Sequence, residues 1–334
     1  MFRGAIFIAL MFTAIPAMAE DPSFSDVPKA REEYEAVEDL RDRGIFEGRP
    51  DGTFGPDDFV NRAEAITVIV RAVANVKNLP ENKNCFPDVY GEEWYVQPVC
   101  YAEDLGWISG YPDGTYQPVR TVSKVEFLKI LLNAYGVNTD PISKLSYPIA
   151  SDASNPEEWY FPYLSFALSS SMTSADSFGN LNPGIALTRG QVALMIHRFL
   201  MYREGQRNQD LLTYAEKDTR VVFTNLDELE VYLAKYSANR VRIAAWGVRE
   251  RLPTSNVVLV TVKLGEALSS LVQAYAHVQS SNLEDALAST KEAYGFADEA
   301  DAINGGVTVY TDRVRSYAHE LANEIRDYGN GEEE

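Results

Sequence analysis

The chain has 334 residues, of which 46% are hydrophobic and 11% are aromatic. This is enough for two or three folded domains and is not the composition of a disordered protein. Asp and Glu outnumber Lys and Arg by 49 to 30, which gives a formal net charge of −19. The acidic balance disfavours a nucleic-acid partner, because phosphate binding requires a basic face.

Residues 1–19 have the pattern of a cleaved secretory signal peptide. Arg3 precedes an apolar run from Ala5 to Ile15, and Ala17-Met18-Ala19, with small residues at its first and last positions, is typical of a cleavage site. Later segments do not reach about 18 uninterrupted apolar residues, so we expect no transmembrane segment in the mature chain. The sequence therefore predicts an exported protein.

Two cysteines, Cys85 and Cys100, agree with export. An even number of cysteines in an exported chain commonly means a disulfide, and we expect this pair to form one. The alternative is two buried free thiols. The three histidines are too scattered along the chain to be zinc ligands. Asp51 and Asp113 could suggest calcium, but no repeated Asp-x-Asp spacing accompanies them and turn formation is the better interpretation, so we expect no metal site and no cofactor.

A repeat of 62 residues organises the first part of the chain. The loop sequence at 48–54 recurs at 110–116, and a Phe-x-Asp-Val opening at 24–27 recurs at 86–89. In each unit an amphipathic stripe precedes the loop, whose Pro-Asp-Gly-Thr core is turn chemistry. A capping box follows the loop, at 61–64 and again at 123–126. Each unit is therefore predicted to be helix, loop, helix.

A third unit at 146–204 is degenerate. Trp159 follows Trp94 by 65 residues, and a third capping box begins at Thr188. The loop motif is lost at 175–181, and Gln191 replaces the capping-box Glu. We therefore expect this unit to be more structural than ligand-binding.

The Phe-x-Asp-Val opening, the Gly-Tyr-Pro-Asp-Gly-Thr-Tyr loop and the capping box with a basic second residue resemble the S-layer homology domain. The resemblance covers about residues 24 to 203, as repeats at 24–83, 84–145 and 146–204. In that family three repeats form a pseudo-threefold bundle whose grooves bind secondary cell-wall polysaccharide, often pyruvylated, and so hold exported proteins on the cell surface. The resemblance implies the same fold, partner and location here.

The resemblance also implies which residues bind the glycan. Basic capping-box residues beside helix amino-terminal amides would bind a pyruvate carboxylate. For the loop at 110–116 the expected cation is Lys124, a few residues downstream. Opening acids would accept sugar hydroxyls or cap a helix, and loop glycines would let a ligand approach. Tryptophans would be stacking platforms or core anchors. The expected glycan-binding residues are Arg62, Lys124, Arg189, Asp26, Asp88, Gly48, Gly110, Trp94 and Trp159.

Residues 205–329 predict an all-α helical bundle, followed by an acidic tail at 330–334. We expect a first helix from a capping box at 225–228 to a stop before Pro253, and a second from about Ser255 or Asn256 to Val278. A third runs from Asn282 to Ala302, and a fourth follows two glycines. Residues 257–262 are alternatively a strand. Short connections imply antiparallel neighbours.

The sequence shows no catalytic constellation, so the prediction is a mainly α, non-catalytic protein of the cell surface. Its repeats anchor it to cell-wall polysaccharide, while 205–329 serve as a spacer or as a surface for a protein partner or self-assembly. One alternative is a structural S-layer or envelope assembly protein. A less favoured alternative is an anchored cell-wall hydrolase.

Overall fold

A computed structural model describes residues 22–74, 79, 84–145 and 147–331. The predicted signal peptide and residues 332–334 of the predicted acidic tail lie outside the described residues. Within the described ranges the chain forms helices, turns and isolated β-bridges. This confirms the mainly α prediction.

The described residues between 22 and 203 form three helix-loop-helix units in which each second helix begins at a formed capping box. The caps are Asn61 with Glu64, Ser123 with Glu126, and Thr188 with Gln191. Gln191 completes its box as well as a Glu does, because its side-chain oxygen accepts from the Thr188 amide. The helices are α1 (Tyr34–Asp42), α2 (Arg62–Val73), α3 (Val96–Asp104), α4 (Lys124–Ala134), α5 (Asp140–Ser143), α6 (Phe161–Ser169) and α7 (Arg189–Arg203).

The three units close into a ring at the segments before their second helices. The Val60 amide donates to Leu187 O (2.9 Å), the Val122 amide to Val60 O (3.0 Å) and the Leu187 amide to Val122 O (3.1 Å). Each unit therefore donates to one neighbour and accepts from the other. This cycle gives the repeat region a pseudo-threefold arrangement.

Each second helix begins on the loop of the next unit around the ring. The first helical amide of α2 donates to Arg120 O in the second unit, that of α4 to Ile185 O in the third, and that of α7 to Asp58 O in the first, all at 2.9 Å. The donor and acceptor of each bond come from different units. The first turn of each second helix is therefore hydrogen-bonded by the loop of a different unit.

The bundle that follows differs from prediction at its start. Residues 225–228, which were expected to open a helix, lie at the end of one, so that prediction was wrong. A helix from Asn208 comes first, and Leu229, at φ 60°, turns the chain into the next. Residues 257–262 are helical, so the strand alternative is also wrong. The helices are α8 (Asn208–Asp227), α9 (Val231–Arg249), α10 (Asn256–Gln279), α11 (Leu283–Asn304) and α12 (Val309–Gly331).

The bundle packs directly on the third unit through α9. Gly247 lies so close to α6 that a Cβ on it would be 1.7 Å from Ser169 O. Arg240 is buried and donates to Ile149 O at 2.9 Å and to Asp218 Oδ1 at 2.7 Å. A continuous hydrophobic core extends from the repeats into the bundle.

Helix α10 is long and apolar enough to span a membrane by length and composition, and half of its most apolar window is buried inside the fold. Its buried residues, among them Leu264, Leu268 and Leu271, belong to the hydrophobic core shared with the neighbouring helices. A core helix of a bundle has the same composition.

The predicted disulfide between Cys85 and Cys100 is confirmed. The two Cα atoms are 5.4 Å apart and the sulfur atoms are bonded. Cys100 lies on α3, and Cys85 directly precedes the Phe-x-Asp-Val opening of the second unit. The bond therefore ties the entry of the second unit to its first helix.

Candidate glycan-binding grooves

One groove, which we call the Arg62 groove, is a cavity of about 330 Å³ built by all three units. The first unit contributes Arg62, and the second contributes Gly110 and Tyr111 from its loop together with Lys129 from α4. Trp159 comes from the third unit. A ligand in this groove would touch residues almost 100 positions apart in the sequence.

Arg62 is only 5% exposed and is held by the loop of the second unit. Its Nε donates to Tyr116 O at 2.9 Å, and its guanidinium lies 4.5 Å from the Tyr116 ring centroid and 4.9 Å from that of Tyr111. Glu126 lies 3.7 Å away and is also paired with Arg120. The positive charge of Arg62 is therefore partly neutralised.

A second groove, the Arg189 groove, has a volume of about 350 Å³ and repeats this plan one step around the ring. Arg189 comes from the third unit, Gly48 from the loop of the first and Trp94 from the second. The Arg189 Nε donates to Phe54 O at 3.0 Å, and its guanidinium lies 4.7 Å from the Phe54 ring centroid. Each groove thus combines a loop glycine, an arginine and a tryptophan from three different units, with the arginine buried in the first groove and half-buried in the second.

Arg189 differs from Arg62 in its electrostatic surroundings. Its side chain bonds to the carbonyl oxygens of Phe54 and Glu47, and it has no ion pair with a carboxylate of the described residues. Burial lowers the pKa of Arg189 from its ordinary value, although the guanidinium remains charged at neutral pH. An incoming anion would therefore meet a half-buried guanidinium with no carboxylate bound to it among the described residues, although the groove is also lined by three acidic residues.

Lys124 occupies the corresponding position beside the third loop. Its Nζ donates to Leu181 O at 2.6 Å, and burial lowers its pKa. The prediction that Lys124 serves the loop at 110–116 was therefore wrong, because Arg62 lies in that place. The reason is that each second helix starts on the loop of the next unit.

Trp94 and Trp159 are exposed at the edges of the two grooves. They are 58% and 51% exposed, respectively. Each packs edge-on against the following tyrosine, Tyr95 or Tyr160. Such exposure favours the interpretation as stacking platforms over that as core anchors, since a core anchor would be buried.

Asp26 and Asp88 hold the loops from behind. The two Asp88 carboxylate oxygens accept from the Tyr116 amide (2.8 Å) and the Gln117 amide (2.7 Å). Asp26 does the same for Phe54 and Gly55, both at 2.7 Å. These acids clamp loop backbone instead of capping a helix, and neither lines the two grooves.

Gly48 and Gly110 line the grooves but are also required by packing. A Cβ at Gly48 would lie 2.2 Å from Phe24 Cε1, and one at Gly110 would lie 2.9 Å from Phe86 Cε1. The aromatic residue of each unit's opening therefore occupies the space behind its loop glycine. This packing requirement was not predicted from the sequence.

The helix amino-terminal amides do not face the grooves as donors. In α2 the amides of Arg62 and Ala63 donate to Arg120 O and Pro118 O, and the Glu64 amide donates to the Asn61 side chain. The first two amides of α4 and of α7 are taken up in the same way. A ligand carboxylate in a groove would therefore be bound by charged side chains and not by these backbone amides.

Sequence reasoning also missed two groove residues, Tyr111 and Lys129. Tyr111 belongs to the repeated loop motif, so its position already carried a signal. The Lys129 Nζ lies 5.3 Å from the ring centroid of Trp159. This contact joins α4 to the third unit, and no local pattern indicates it.

Comparison with known proteins agrees with the geometry. Residues 23–66 and 86–128 match the model of the S-layer homology domain. The Surface-layer 125 kDa protein of Lysinibacillus sphaericus is 27% identical over 202 residues, which are 59% of this chain and 16% of the relative. The Middle cell wall protein of Brevibacillus brevis is 25% identical over 259 residues, covering 76% of this chain and 22% of the relative.

A Bacillus anthracis protein named as an uncharacterized cell wall amidase is also similar, at 27% identity over 144 residues, 42% of this chain and 26% of that protein. The chain thus spans about a quarter or less of the length of these relatives. The two matched segments contain the loops of the first and second units. The chain therefore carries S-layer homology sequence in at least two repeats, and the matches indicate an exported surface protein that is bound at the cell wall.

Proposed function

We propose that this protein is a non-catalytic anchor that binds cell-wall polysaccharide through the Arg62 and Arg189 grooves. The observation that carries the proposal is the recurrence of one constellation in two places. In each groove a tryptophan more than half exposed lies at the edge of a cavity that contains a loop glycine and an arginine bound to a loop carbonyl. Two cavities of about 330 and 350 Å³ are of the size that accommodates small ligands.

The chemistry of the two grooves suits an acidic glycan. A tryptophan face stacks on a sugar ring, and an arginine binds a carboxylate through up to two parallel hydrogen bonds. A pyruvyl ketal supplies such a carboxylate, so we propose a pyruvylated polysaccharide as the ligand.

The two grooves are not proposed to be equal. Arg62 shares the carboxylate of Glu126, whereas Arg189 has only carbonyl and aromatic partners among the described side chains. The Arg189 groove should therefore depend more strongly on the ligand's negative charge. Lys124 beside the third loop is proposed as a weaker third contact, since an ammonium cannot make the bidentate contact.

The proposal is tested by pelleting the mature protein with purified cell-wall sacculi. Trp94→Ala and Trp159→Ala remove exposed side chains, so the fold should be retained. Each should weaken wall binding about tenfold, the equivalent of one lost stacking contact. Tyr90→Ala is the matched control, because Tyr90 is 63% exposed and lines neither groove.

Acid treatment of the sacculi, which removes pyruvate ketals, separates the sugar contact from the charge contact. We expect treated sacculi to bind the protein more weakly, and Arg189→Gln to remove most of that difference. Equal pelleting with treated and untreated sacculi would contradict the carboxylate part of the proposal. Unchanged pelleting of both tryptophan variants would contradict the grooves themselves.

A second candidate function is assembly of a surface layer, because one of the relatives is named as a surface-layer protein. In that case the bundle at 205–329 would supply the contacts between copies. Light scattering of the mature chain at rising concentration distinguishes the two, since an anchor remains a monomer and an assembly protein grows in size.

A further inference from the structure

A larger cavity lies in the helical bundle, where the bundle meets the third unit. Its volume is about 560 Å³, its walls are α9 and α10, and Tyr147 at the start of the third unit also lines it. Gly265 of α10 packs against Arg242 of α9, where a Cβ on the glycine would lie 3.1 Å from Arg242 Cγ. The cavity extends from this contact toward the start of α9 and the end of α10.

Both walls of the cavity carry polar side chains at helical spacing. Side chains three or four residues apart share one face of a helix, and the core-facing side of a bundle helix is ordinarily apolar. Part of this polar face is bonded within the protein, since Asn239 Nδ2 donates to Pro148 O at 2.7 Å and Gln273 Nε2 lies 3.3 Å from His277 Nε2. The remaining polar groups are not explained by helix packing. The polar residues of the two walls are Tyr232, Lys235, Asn239 and Arg242 on α9, and Ser269, Gln273 and His277 on α10.

The cavity is positive in a strongly acidic protein. Lys235 and Arg242 line it, and its lining among the described residues includes no Asp or Glu, although the chain carries a net charge of −19. The Arg242 guanidinium lies 4.0 Å from the ring centroid of Tyr147 and donates to its Oη at 2.5 Å. Concave low-dielectric walls concentrate such a potential, so the cavity should attract an anion.

We propose that this cavity binds an acidic sugar, that is, a pyranose ring bearing a carboxylate. The amide and hydroxyl groups of Asn239, Gln273 and Ser269 both donate and accept, as sugar hydroxyls require. Lys235 and Arg242 would hold the carboxylate, and Tyr232, which is exposed, offers a ring face. The proposal is independent of the two grooves, since no candidate residue of the repeats lines this cavity.

Calorimetric titration of the mature chain, residues 20–334, with glucuronate and with glucose tests the proposal. We expect binding of glucuronate and no measurable binding of glucose. Lys235→Gln and Arg242→Gln should each weaken glucuronate binding about tenfold, as expected for loss of one charged hydrogen bond. Lys291→Gln on α11 is the matched control, because it removes an exposed lysine outside the cavity.

Lys235 is exposed, so its replacement does not threaten the fold, and circular dichroism checks this directly. Failure of the wild-type chain to bind glucuronate would overturn the proposal, as would equal affinity for glucose. Glucuronate binding that persists unchanged in Lys235→Gln and Arg242→Gln would belong to the repeat grooves and would also overturn it. Wall pelleting should be unaffected by Lys235→Gln, which separates this test from that of the anchoring function.

Discussion

Gly247→Ala is expected to destabilise the contact between the repeat region and the bundle. The added Cβ would lie 1.7 Å from Ser169 O and 2.6 Å from Ser169 C. These are backbone atoms of α6, so no side-chain rotation can relieve the overlap. Helices α6 and α9 would have to separate by about 1.5 Å or more to restore ordinary contact distances.

The expected cost follows from two opposing effects. Overpacking of a close contact costs about 1–3 kcal/mol and sometimes more, and this contact lies at the upper end because backbone must move. Replacing a helical glycine by alanine returns about 1 kcal/mol through helix propensity. We therefore expect a net loss of about 2 kcal/mol in the free energy of unfolding, measured by urea denaturation.

Gly295→Ala provides the matched control on α11. Its added Cβ would meet nothing within 4 Å, so only the propensity gain of about 0.5–1 kcal/mol should remain. The two variants should therefore shift the urea midpoint in opposite directions. A Gly247→Ala protein as stable as the wild type or more stable would show that the close approach of α6 and α9 is not the contact described here.

Three other changes can be tested by the same unfolding assay. Replacing Cys85 and Cys100 together by Ala should cost about 3 kcal/mol, because the disulfide closes a loop with a sequence separation of 15; an equal stability of the oxidised wild type and the double variant would contradict this. Asp88→Asn leaves one oxygen for two loop amides and should cost about 2 kcal/mol, whereas replacement of the exposed Glu92 by Gln should be nearly neutral. Gly48→Ala and Gly110→Ala should each cost about 1–3 kcal/mol, because the added Cβ would overlap Phe24 at the first position, and Phe86 and Thr115 O at the second; unchanged stability of both variants would refute the packing explanation.

Features that depend on local chemistry were predicted well from the sequence. Turn and capping signals are short-range, so the helix-loop-helix pattern and the capping boxes at Asn61 and Ser123 appear in the structure where they were expected. The two Asp residues of the loop turns, Asp51 and Asp113, likewise accept from the residue two positions on. The disulfide partners were also predictable, since the chain has only two cysteines.

Prediction from local sequence failed where one pattern of residues occurs in two different structures. Asn225 and Glu228 have the spacing of a capping box, yet they lie at the end of α8. The buried face of α8 includes Ala215 and Thr219, whose small or polar side chains hide its helical stripe. The helix was therefore missed, and the next one was given the wrong start.

The partner of each groove cation could not be predicted because it is decided by ring closure. A capping box shows that Arg62 and Arg189 stand at the start of a helix, but not which loop lies beside them. The Arg62 Nε contacts a carbonyl 54 residues away, and the Arg189 Nε contacts one 135 residues away. Only the packing of three units fixes these pairs.

The closed ring of three units also bears on when the protein first becomes able to bind. A chain that emerges with its amino terminus first has no complete groove until Trp159 has appeared, and the Arg189 groove waits for the last helix of the third unit. A product cut short before that point would leave the cell with at most one finished groove. If the grooves bind the wall as proposed, binding would require synthesis of the third unit, although its loop departs most from the repeated motif.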